Sequence, residues 1–221
     1  MAVSAVAGAL AIASAAIDLR SIWVLSSAPR SQVTINLRDM GDWWRISYPT
    51  FVTANEIHVP VGALVTMEWS GPQVILWHLP TELGHFAFVA KHDEDLVVLQ
   101  LWPPMRRHLR IVADSSFEQW FRAQERPAHF DPASAELFNS SGCAYCHVVR
   151  GVAESPWKVG PDLTHFGSRE TIAATGMPNR RGFLAGWIVH SNALKRWSEM
   201  PENAVQADVL NRLLHDLESR R

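Results

Sequence analysis

The stretch Ser141-Gly142-Cys143-Ala144-Tyr145-Cys146-His147 contains a Cys-x-x-Cys-His motif. Cys143 and Cys146 are the only two cysteines among the 221 residues. This spacing is the attachment signature of a c-type haem, in which two thiols form thioethers to the porphyrin and the adjacent His ligates the iron. The motif therefore predicts one covalently bound haem c, held by Cys143, Cys146 and His147.

Two other uses of a cysteine pair compete with haem attachment. A thioredoxin-like redox motif would stand at the head of a helix inside a βαβ pattern, which the sequence lacks, and it does not need the His that follows. A structural zinc site needs a second pair of ligands, and the chain has no further cysteine to supply one. Haem attachment is the favoured interpretation.

Charge and cysteine content limit the partners and the cellular compartment expected for this chain. The formal net charge is −2, so there is no electrostatic reason to expect nucleic acid as a partner. Both cysteines are assigned to haem, so no disulfide framework remains. Covalent haem attachment implies maturation outside the cytosol, in a bacterial periplasm or an equivalent compartment.

Residues 1–30 are predicted to be a hydrophobic anchor or signal segment. Residues 2–17 carry no charge, but they fall short of the roughly 20 residues needed to span a bilayer. Apolar residues 22–25 extend the hydrophobic character beyond Asp18 and Arg20. Residues 13–15 resemble a signal-peptidase site, although the basic region that precedes such a site is missing. A retained anchor is favoured over a cleaved signal peptide.

Residues 31–115 show the alternation of β-strands. Val33, Ile35 and Leu37 alternate with polar neighbours, and residues 57–61 keep the same period of two. Short apolar segments follow, separated by Gly and Pro, at residues 64–69, 74–77, 86–89, 96–102 and 108–112. Seven or eight short strands at this spacing predict a sandwich or a barrel.

The pattern then becomes helical. Residues 116–122 predict a short helix, and residues 124–130 form the expected linker, because Pro127 would break a continuing helix. Asp131-Pro132 is expected to open the next helix, since Asp accepts free amides and Pro suits a first turn. Asn179 is expected to cap a further helix. Apolar residues at helical spacing mark that helix and the last one: Leu184, Trp187, Ile188, Leu210, Leu213, Leu214 and Leu217.

A low-spin electron-transfer haem needs a second axial ligand, usually Met or His. Two Met-Pro pairs follow the motif, at Met177-Pro178 and at Met200-Pro201. Met200 precedes the predicted last helix, which leaves room for the intervening helix to pass beneath the haem. A Met is more often core filler than a ligand, and chemistry alone leaves both candidates open.

Residues from about 131 to 219 resemble a class I cytochrome c, most closely the cytochrome domain fused to the C-terminus of subunit II of some bacterial haem-copper oxidases. The matching residues are Phe138, Cys143, Cys146, His147, Arg150-Gly151, Gly160-Pro161-Asp162-Leu163-Thr164, Ser168-Arg169, Pro178-Asn179, Leu184, Trp187, Lys195 and Met200-Pro201. Two positions depart from the pattern. Ser134 stands where the family commonly has Gly, and Asp216 stands where it commonly has an aromatic residue.

The resemblance implies roles for individual residues. It selects Met200 as the sixth iron ligand and places Met177 at a non-ligand position. It places the Pro161 carbonyl against the ring N–H of His147, which would orient that ligand. Arg169 and Trp157 become candidates for contacts with the haem propionates.

Residues 31–122 resemble the β domain of the same oxidase subunit. The matching fragments are Trp43-Trp44, Tyr48, residues 54–62, Val74-Ile75, Leu79-Pro80, residues 109–114 and residues 117–120. In that family, Trp43 and Trp44 occupy the place of aromatic electron-exit residues. Packing is the commoner role for a strand tryptophan.

The family's β domain normally holds a dinuclear copper centre with two bridging thiolates, because soft sulfur suits copper. This part of the chain contains no cysteine, so no dinuclear copper is expected. Candidate ligands for a single copper ion are found among five side chains: His78, His85, His92, Met105 and His108. Surface or internally satisfied histidines are the favoured interpretation.

The expected fold class is thus a two-domain β + α chain: an N-terminal membrane-anchor or signal helix, a cupredoxin-like β-sandwich and an all-α class I cytochrome c domain. The expected boundaries are 1–30 for the anchor or signal segment, 31–123 for the β domain, 124–130 for the linker and 131–221 for the cytochrome c domain.

The resemblance implies a mono-haem electron-transfer subunit of a haem-copper oxidase-like respiratory complex, with no catalytic centre of its own. It would sit in the bacterial inner membrane with its domains facing the periplasm. It would pass electrons from a soluble or membrane donor to a catalytic membrane subunit. Two alternatives stay open: a nitric oxide reductase-like or quinol-oxidising complex, and a haem-based sensor or binding module.

Overall fold

A computed structural model describes residues 32–70, 75–76, 85–100, 105–127, 131–155 and 159–221. Strands dominate the first half: β1 Gln32–Asp39, β2 Trp44–Ser47, β3 Val52–Ala54, β4 Glu56–Pro60, β5 Leu64–Ser70, β6 Ile75–Leu76, β7 His85–Val89, β8 Glu94–Gln100 and β9 Met105–Asp114. One sheet has the order β3-β2-β1-β5-β7 and another the order β4-β9-β8-β6. The β1–β5 and β4–β9 pairs are parallel.

The two sheets enclose one hydrophobic core. Ile35 of β1 and Val65 of β5 belong to the same buried cluster as Ile57 of β4 and Leu109 of β9. In β1 the predicted alternation is confirmed, because Ile35 and Leu37 are buried whereas Asn36 is exposed. Alternation of this kind is what a strand shows when one face meets the core and the other meets solvent.

Strand β4 does not follow that pattern, because both of its faces are covered. Ile57 and Val59 point to the core, but Glu56 and His58 are buried as well. The His58 ring stacks on Trp120 at 4.2 Å between centroids. Glu56 accepts hydrogen bonds from residues 170 and 171, far along the chain. The second face of β4 is therefore an internal contact surface.

The described residues after β9 include five α-helices: α1 Phe117–Glu125, α2 Pro132–Ser140, α3 Arg181–Val189, α4 Ser191–Leu194 and α5 Ala207–Ser219. Helix α1 extends three residues beyond the predicted end at Arg122. The predicted start of α2 is confirmed, since the Asp131 side chain accepts from the Ser134 amide at 3.3 Å. The predicted cap of α3 is wrong. Asn179 Nδ2 instead donates to the carbonyls of Phe166 and Arg169, at 3.0 and 3.1 Å.

The predicted fold class is wrong. Residues after 131 do not form an all-α class I cytochrome c domain, because strands β10 Thr171–Ile172 and β11 Met177–Pro178 form an antiparallel pair there. The turn between them takes left-handed backbone at Ala173, Ala174 and Gly176, with φ of 60, 51 and 76°. A right-handed helix cannot continue through such a turn. The described chain is mixed α/β, with a sheet-rich first part followed by five helices.

Residues 1–30, expected to form an anchor or signal helix, are outside the described residues. Among the helices that are described, none is both long enough and apolar enough to cross a membrane.

A second hydrophobic cluster fills the C-terminal part, where α2 and α5 contact each other. Asp216, at the position where the family commonly has an aromatic residue, is buried and forms an ion pair with Arg220. The Arg220 guanidinium lies 5.2 Å from the centroid of the Phe138 ring. A neutralised ion pair on an aromatic face thus occupies the helix contact.

Candidate functional site

The Cys-x-x-Cys-His motif is folded into a tight turn. Cys143–Tyr145 form a 3-10 helix. The Cys143 carbonyl accepts from the amides of Cys146 and His147, at 3.2 and 3.0 Å. Because Cys143 and His147 are one turn apart, their side chains start on the same side of the turn. Burial raises the pKa of the Cys143 thiol, which is the opposite of what a redox-active, nucleophilic cysteine needs.

His147 is held in one orientation by a backbone carbonyl. Its Nδ1 atom lies 2.9 Å from the oxygen of Pro161, so the expected contact is present. A carbonyl oxygen can only accept, so Nδ1 carries the proton and Nε2 keeps its lone pair. Burial also lowers the pKa of His147, while the bond to Pro161 opposes that shift. Burial therefore favours the neutral imidazole, in which Nε2 is the nitrogen left to bind a metal.

Gly160 makes room for this imidazole. A Cβ atom at position 160 would lie 2.7 Å from both Cε1 and Nδ1 of His147. The Gly160 amide donates to the Cys146 carbonyl at 3.0 Å, which ties it to the motif. Glycine is therefore required at position 160 for steric reasons. The sequence alone did not assign Gly160 this role.

A cavity of about 290 Å³ opens beside the motif. This volume is close to the lower end of the range of small-molecule sites, roughly 300–1,000 Å³. Cys146, His147 and Met200 all line the cavity. Much of the remaining wall is apolar: Leu163, Phe166, Ile172, Leu184, Trp187, Ile188 and Leu217. Met177 lies on strand β11 and is not among the described residues that line the cavity.

Arg169 brings a cation to the same cavity. Its Nη2 atom donates to the carbonyl of Asp162 and, at 3.5 Å, to the hydroxyl of Thr53. Its buried Nε has no hydrogen-bond partner among the described residues. Burial lowers the pKa of Arg169, and the charges of Asp162 and Glu56 oppose that shift. A buried donor with this charge suits a ligand carboxylate. Trp157, the other predicted propionate contact, lies outside the described residues.

The β part supplies one wall of the cavity. Asp42, Trp43 and Asn55 line it, and the Trp43 indole Nε1 donates to the Val159 carbonyl at 2.8 Å. Trp44, by contrast, is fully buried in the β core, with the Arg107 guanidinium 3.9 Å from its ring centroid. The two adjacent tryptophans therefore have different surroundings, and only Trp43 reaches the cavity.

Asp42 makes several polar contacts between the two parts of the chain. Its carboxylate forms a buried ion pair with Lys195 and accepts from the Ser198 hydroxyl at 3.0 Å and the Glu199 amide at 3.1 Å. Burial lowers the pKa of Lys195, and the Asp42 charge opposes that shift. Sequence reasoning missed this group, because no local pattern links position 42 to positions more than 150 residues away.

The described residues contain no group of three or more His, Cys, Asp or Glu side chains that could hold a metal ion. His92 is exposed, and the His108 amide donates to the Ala174 carbonyl at 2.7 Å. His78 and the side chains of His85 and Met105 lie outside the described residues. The expectation that the chain holds no dinuclear copper stays a prediction.

The residues around the cavity fit a haem c. Cys146 lines the cavity and would supply one thioether link; Cys143, three residues earlier in the motif, would supply the other, although it is not among the described residues that line the cavity. His147 and Met200 are nitrogen and sulfur donors on the cavity walls. Arg169 would meet a propionate. The apolar remainder of the wall matches the hydrophobic face of a porphyrin.

Comparison with known proteins leaves the family open. No protein-family model matches the chain, and no match was found among the curated proteins.

Proposed function

We propose that this chain is a mono-haem c-type electron-transfer protein. The observation that carries the proposal is that His147, Met200 and Cys146 line one cavity. Bound there, the haem would supply one-electron exchange between the ferric and ferrous states of its iron. The chain itself would supply the ligands, their orientation and a dry environment.

Three features of the site serve that role. The bond from His147 Nδ1 to Pro161 fixes the tautomer, so Nε2 is ready to ligate without losing a proton. The Met200 thioether is a soft, neutral ligand that favours a raised reduction potential. The apolar side chains of Leu184 and Ile188 exclude water from the cavity wall, which also favours the less charged reduced state.

We further propose that the chain works as a subunit of a haem-copper oxidase-like respiratory complex. Support comes from the sequence resemblance to oxidase subunit II with a fused cytochrome. In this role it would lie at the periplasmic face of a bacterial inner membrane. It would take electrons from a soluble or membrane donor and pass them to a catalytic membrane subunit, with no catalytic centre of its own and without dinuclear copper.

Purification from its native membrane under mild detergent tests both levels of the proposal. We expect one iron and no copper per chain, together with a haem-bearing catalytic subunit that co-purifies. Stoichiometric copper would contradict our account of the β part. Isolation with a nitric oxide reductase-like or quinol-oxidising partner would keep the electron-transfer role and overturn the oxidase assignment.

Carbon monoxide distinguishes electron transfer from sensing. A protein that only transfers electrons keeps both axial ligands, so its ferrous spectrum should not change when carbon monoxide is added. A haem-based sensor needs a labile sixth ligand. A rapid spectral shift would therefore contradict the proposal and favour a sensor.

A further inference from the structure

We propose that Asp42, in the β part, is a positioning residue for Met200, the sixth ligand proposed for the haem. The inference rests on the proposed function. It gives the β part a specific role, in which the turn between β1 and β2 completes the support of the axial-ligand loop. The loop is residues 195–200, which follow helix α4.

The turn and the axial-ligand loop are in direct contact through one carboxylate. The Asp42 side chain is only 9% exposed. It accepts from the Ser198 hydroxyl at 3.0 Å and from the Glu199 amide at 3.1 Å, and it forms an ion pair with Lys195. The Asp42 carboxylate therefore binds three polar groups of the loop.

Hydrogen bonds connect this contact to Met200 itself. The Ser198 hydroxyl, which donates to Asp42, also accepts from the Met200 amide at 3.1 Å. Two hydrogen bonds thus run in series from the carboxylate to the backbone of the ligand. On its other side, the Met200 carbonyl accepts from the Ser191 hydroxyl at 2.6 Å. The Met200 backbone is fixed from two directions, and one of them begins in the β part.

The axial-ligand loop needs support from outside. It contains neither helix nor strand. Trp197, in its middle, has a left-handed backbone with φ of 68°, and it is 53% exposed. A bulky residue persists in that conformation only where surrounding contacts over-determine it. Asp42 binds residues on both sides of Trp197, namely Lys195 and Ser198.

Charge makes Asp42 hard to replace. The Lys195 side chain is 4% exposed, and its ammonium also donates to the Ala173 carbonyl at 2.9 Å. Loss of the Asp42 charge would remove the carboxylate that pairs with this buried cation, which is unfavourable. The loop would then move to hydrate the ammonium, and Met200 would move with it.

The test compares Asp42→Asn and Ser198→Ala with Asp39→Asn in the mature, haem-loaded chain. Asp39 is a matched control: it is a buried carboxylate of the same region, but it pairs with Arg107 inside the β part. The readouts are the far-red charge-transfer band of methionine-ligated ferric haem and the spectral response of the ferrous protein to carbon monoxide. Neither readout depends on turnover.

We expect Asp42→Asn and Ser198→Ala to lose most of the far-red band and to gain a ferrous spectral shift with carbon monoxide that the parent lacks, because a displaced Met200 leaves the sixth iron position open. Asp39→Asn should keep the parent band. Ser198→Ala removes only one hydroxyl, so it still tests the role of the Asp42–Ser198 contact if Asp42→Asn does not fold.

Two results would overturn the inference while the proposed function stands. One is a parent-like band and a parent-like response to carbon monoxide in both Ser198→Ala and Asp42→Asn. The other is an equal loss in Asp39→Asn, which would mean that the band reports general loosening of the fold. If the parent protein itself lacks the band, the ligand assignment under the proposed function fails, and this inference fails with it.

Discussion

The Nδ1 atom of His147 lies 2.9 Å from the carbonyl oxygen of Pro161. This contact joins the end of the Cys-x-x-Cys-His turn to the segment that follows Gly160, and it decides which imidazole nitrogen stays free. Because Gly160 has no side chain, the two segments approach closely enough for the bond to form.

Substitution of Gly160 should therefore disturb His147, the proposed iron ligand, directly. A methyl group in Gly160→Ala would lie 2.7 Å from the His147 ring, so either the ring or the Pro161 segment must move. We expect the free energy of unfolding to fall by about 1–3 kcal/mol, the usual cost of overpacking. Chemical denaturation of the haem-loaded chain measures the change.

Gly182→Ala is the matched control for that experiment. Gly182 lies in helix α3, and a Cβ atom there would meet nothing within 4 Å. Alanine should leave stability unchanged or raise it by about 0.4–1 kcal/mol. Equal stability of the two variants would show that Gly160 does not limit the approach.

The two Met-Pro pairs should differ in their effect on the haem. Met200→Ala should abolish the far-red charge-transfer band of the ferric protein, because Met200 lines the cavity with His147. Met177→Ala should leave the band in place, because Met177 belongs to strand β11. Absorbance of the purified oxidised variants measures both effects. The reverse pattern would identify Met177 as the ligand.

Glu56 should hold the β part and the C-terminal part together. Its carboxylate accepts from the Thr171 amide and hydroxyl, at 2.5 and 2.6 Å, and from the Glu170 amide at 3.0 Å. Glu56→Ala leaves these donors unpaired, so we expect it to cost about 3 kcal/mol of the free energy of unfolding.

Denaturant titration followed by circular dichroism measures that loss. The control is Glu136→Ala, which removes an exposed carboxylate from helix α2 and should change stability by less than about 0.5 kcal/mol. A Glu56→Ala variant as stable as this control would contradict a role for Glu56 between the two parts.

Acid should destabilise the fold through His58. Burial lowers the pKa of His58 to about 4, although the Asp114 carboxylate, 3.6 Å from Nδ1, opposes the shift. The unfolded chain, with a His pKa of about 6.5, then binds more protons between about pH 4 and 6.5. The free energy of unfolding should therefore fall as pH is lowered through that range, by about 3 kcal/mol at its end.

The free energy of unfolding, measured from about pH 7 to pH 4, tests whether His58 causes this loss. His58→Phe keeps a ring against Trp120 and should flatten the pH dependence. His215→Gln, at an exposed position of helix α5, should keep the parent slope. An unchanged slope in His58→Phe would show that another group is responsible.

Features that depend on neighbouring residues could be predicted from the sequence. The Cys-x-x-Cys-His turn occupies five consecutive positions, 143–147, and the Asp131 cap of α2 lies three residues from its partner Ser134. Strand β1 was predicted because its alternation spans a full eight residues. Strands β10 and β11 have two residues each, too few to show any period. The predicted all-α C-terminal domain is wrong because of these two short strands.

Contacts between distant segments could not be predicted. Asp42 and Glu56 are acidic residues next to turns, for which a solvated surface position is the ordinary expectation. Their burial depends on how the C-terminal part docks on the sheets, which no local pattern records. The misassigned cap has the same cause, since the Asn179 side chain reaches the Phe166 carbonyl, 13 residues earlier in the chain.

The central claim is that Cys143 and Cys146 bind one haem covalently. Its most direct test is the denatured mass of the chain after maturation in a bacterial periplasm that attaches c-type haem, compared with a Cys143→Ser, Cys146→Ser double variant prepared in the same way. We predict that the parent chain is heavier by the mass of one haem, which survives denaturation. A parent chain that carries no haem, or that releases it on denaturation as the double variant would, contradicts the account.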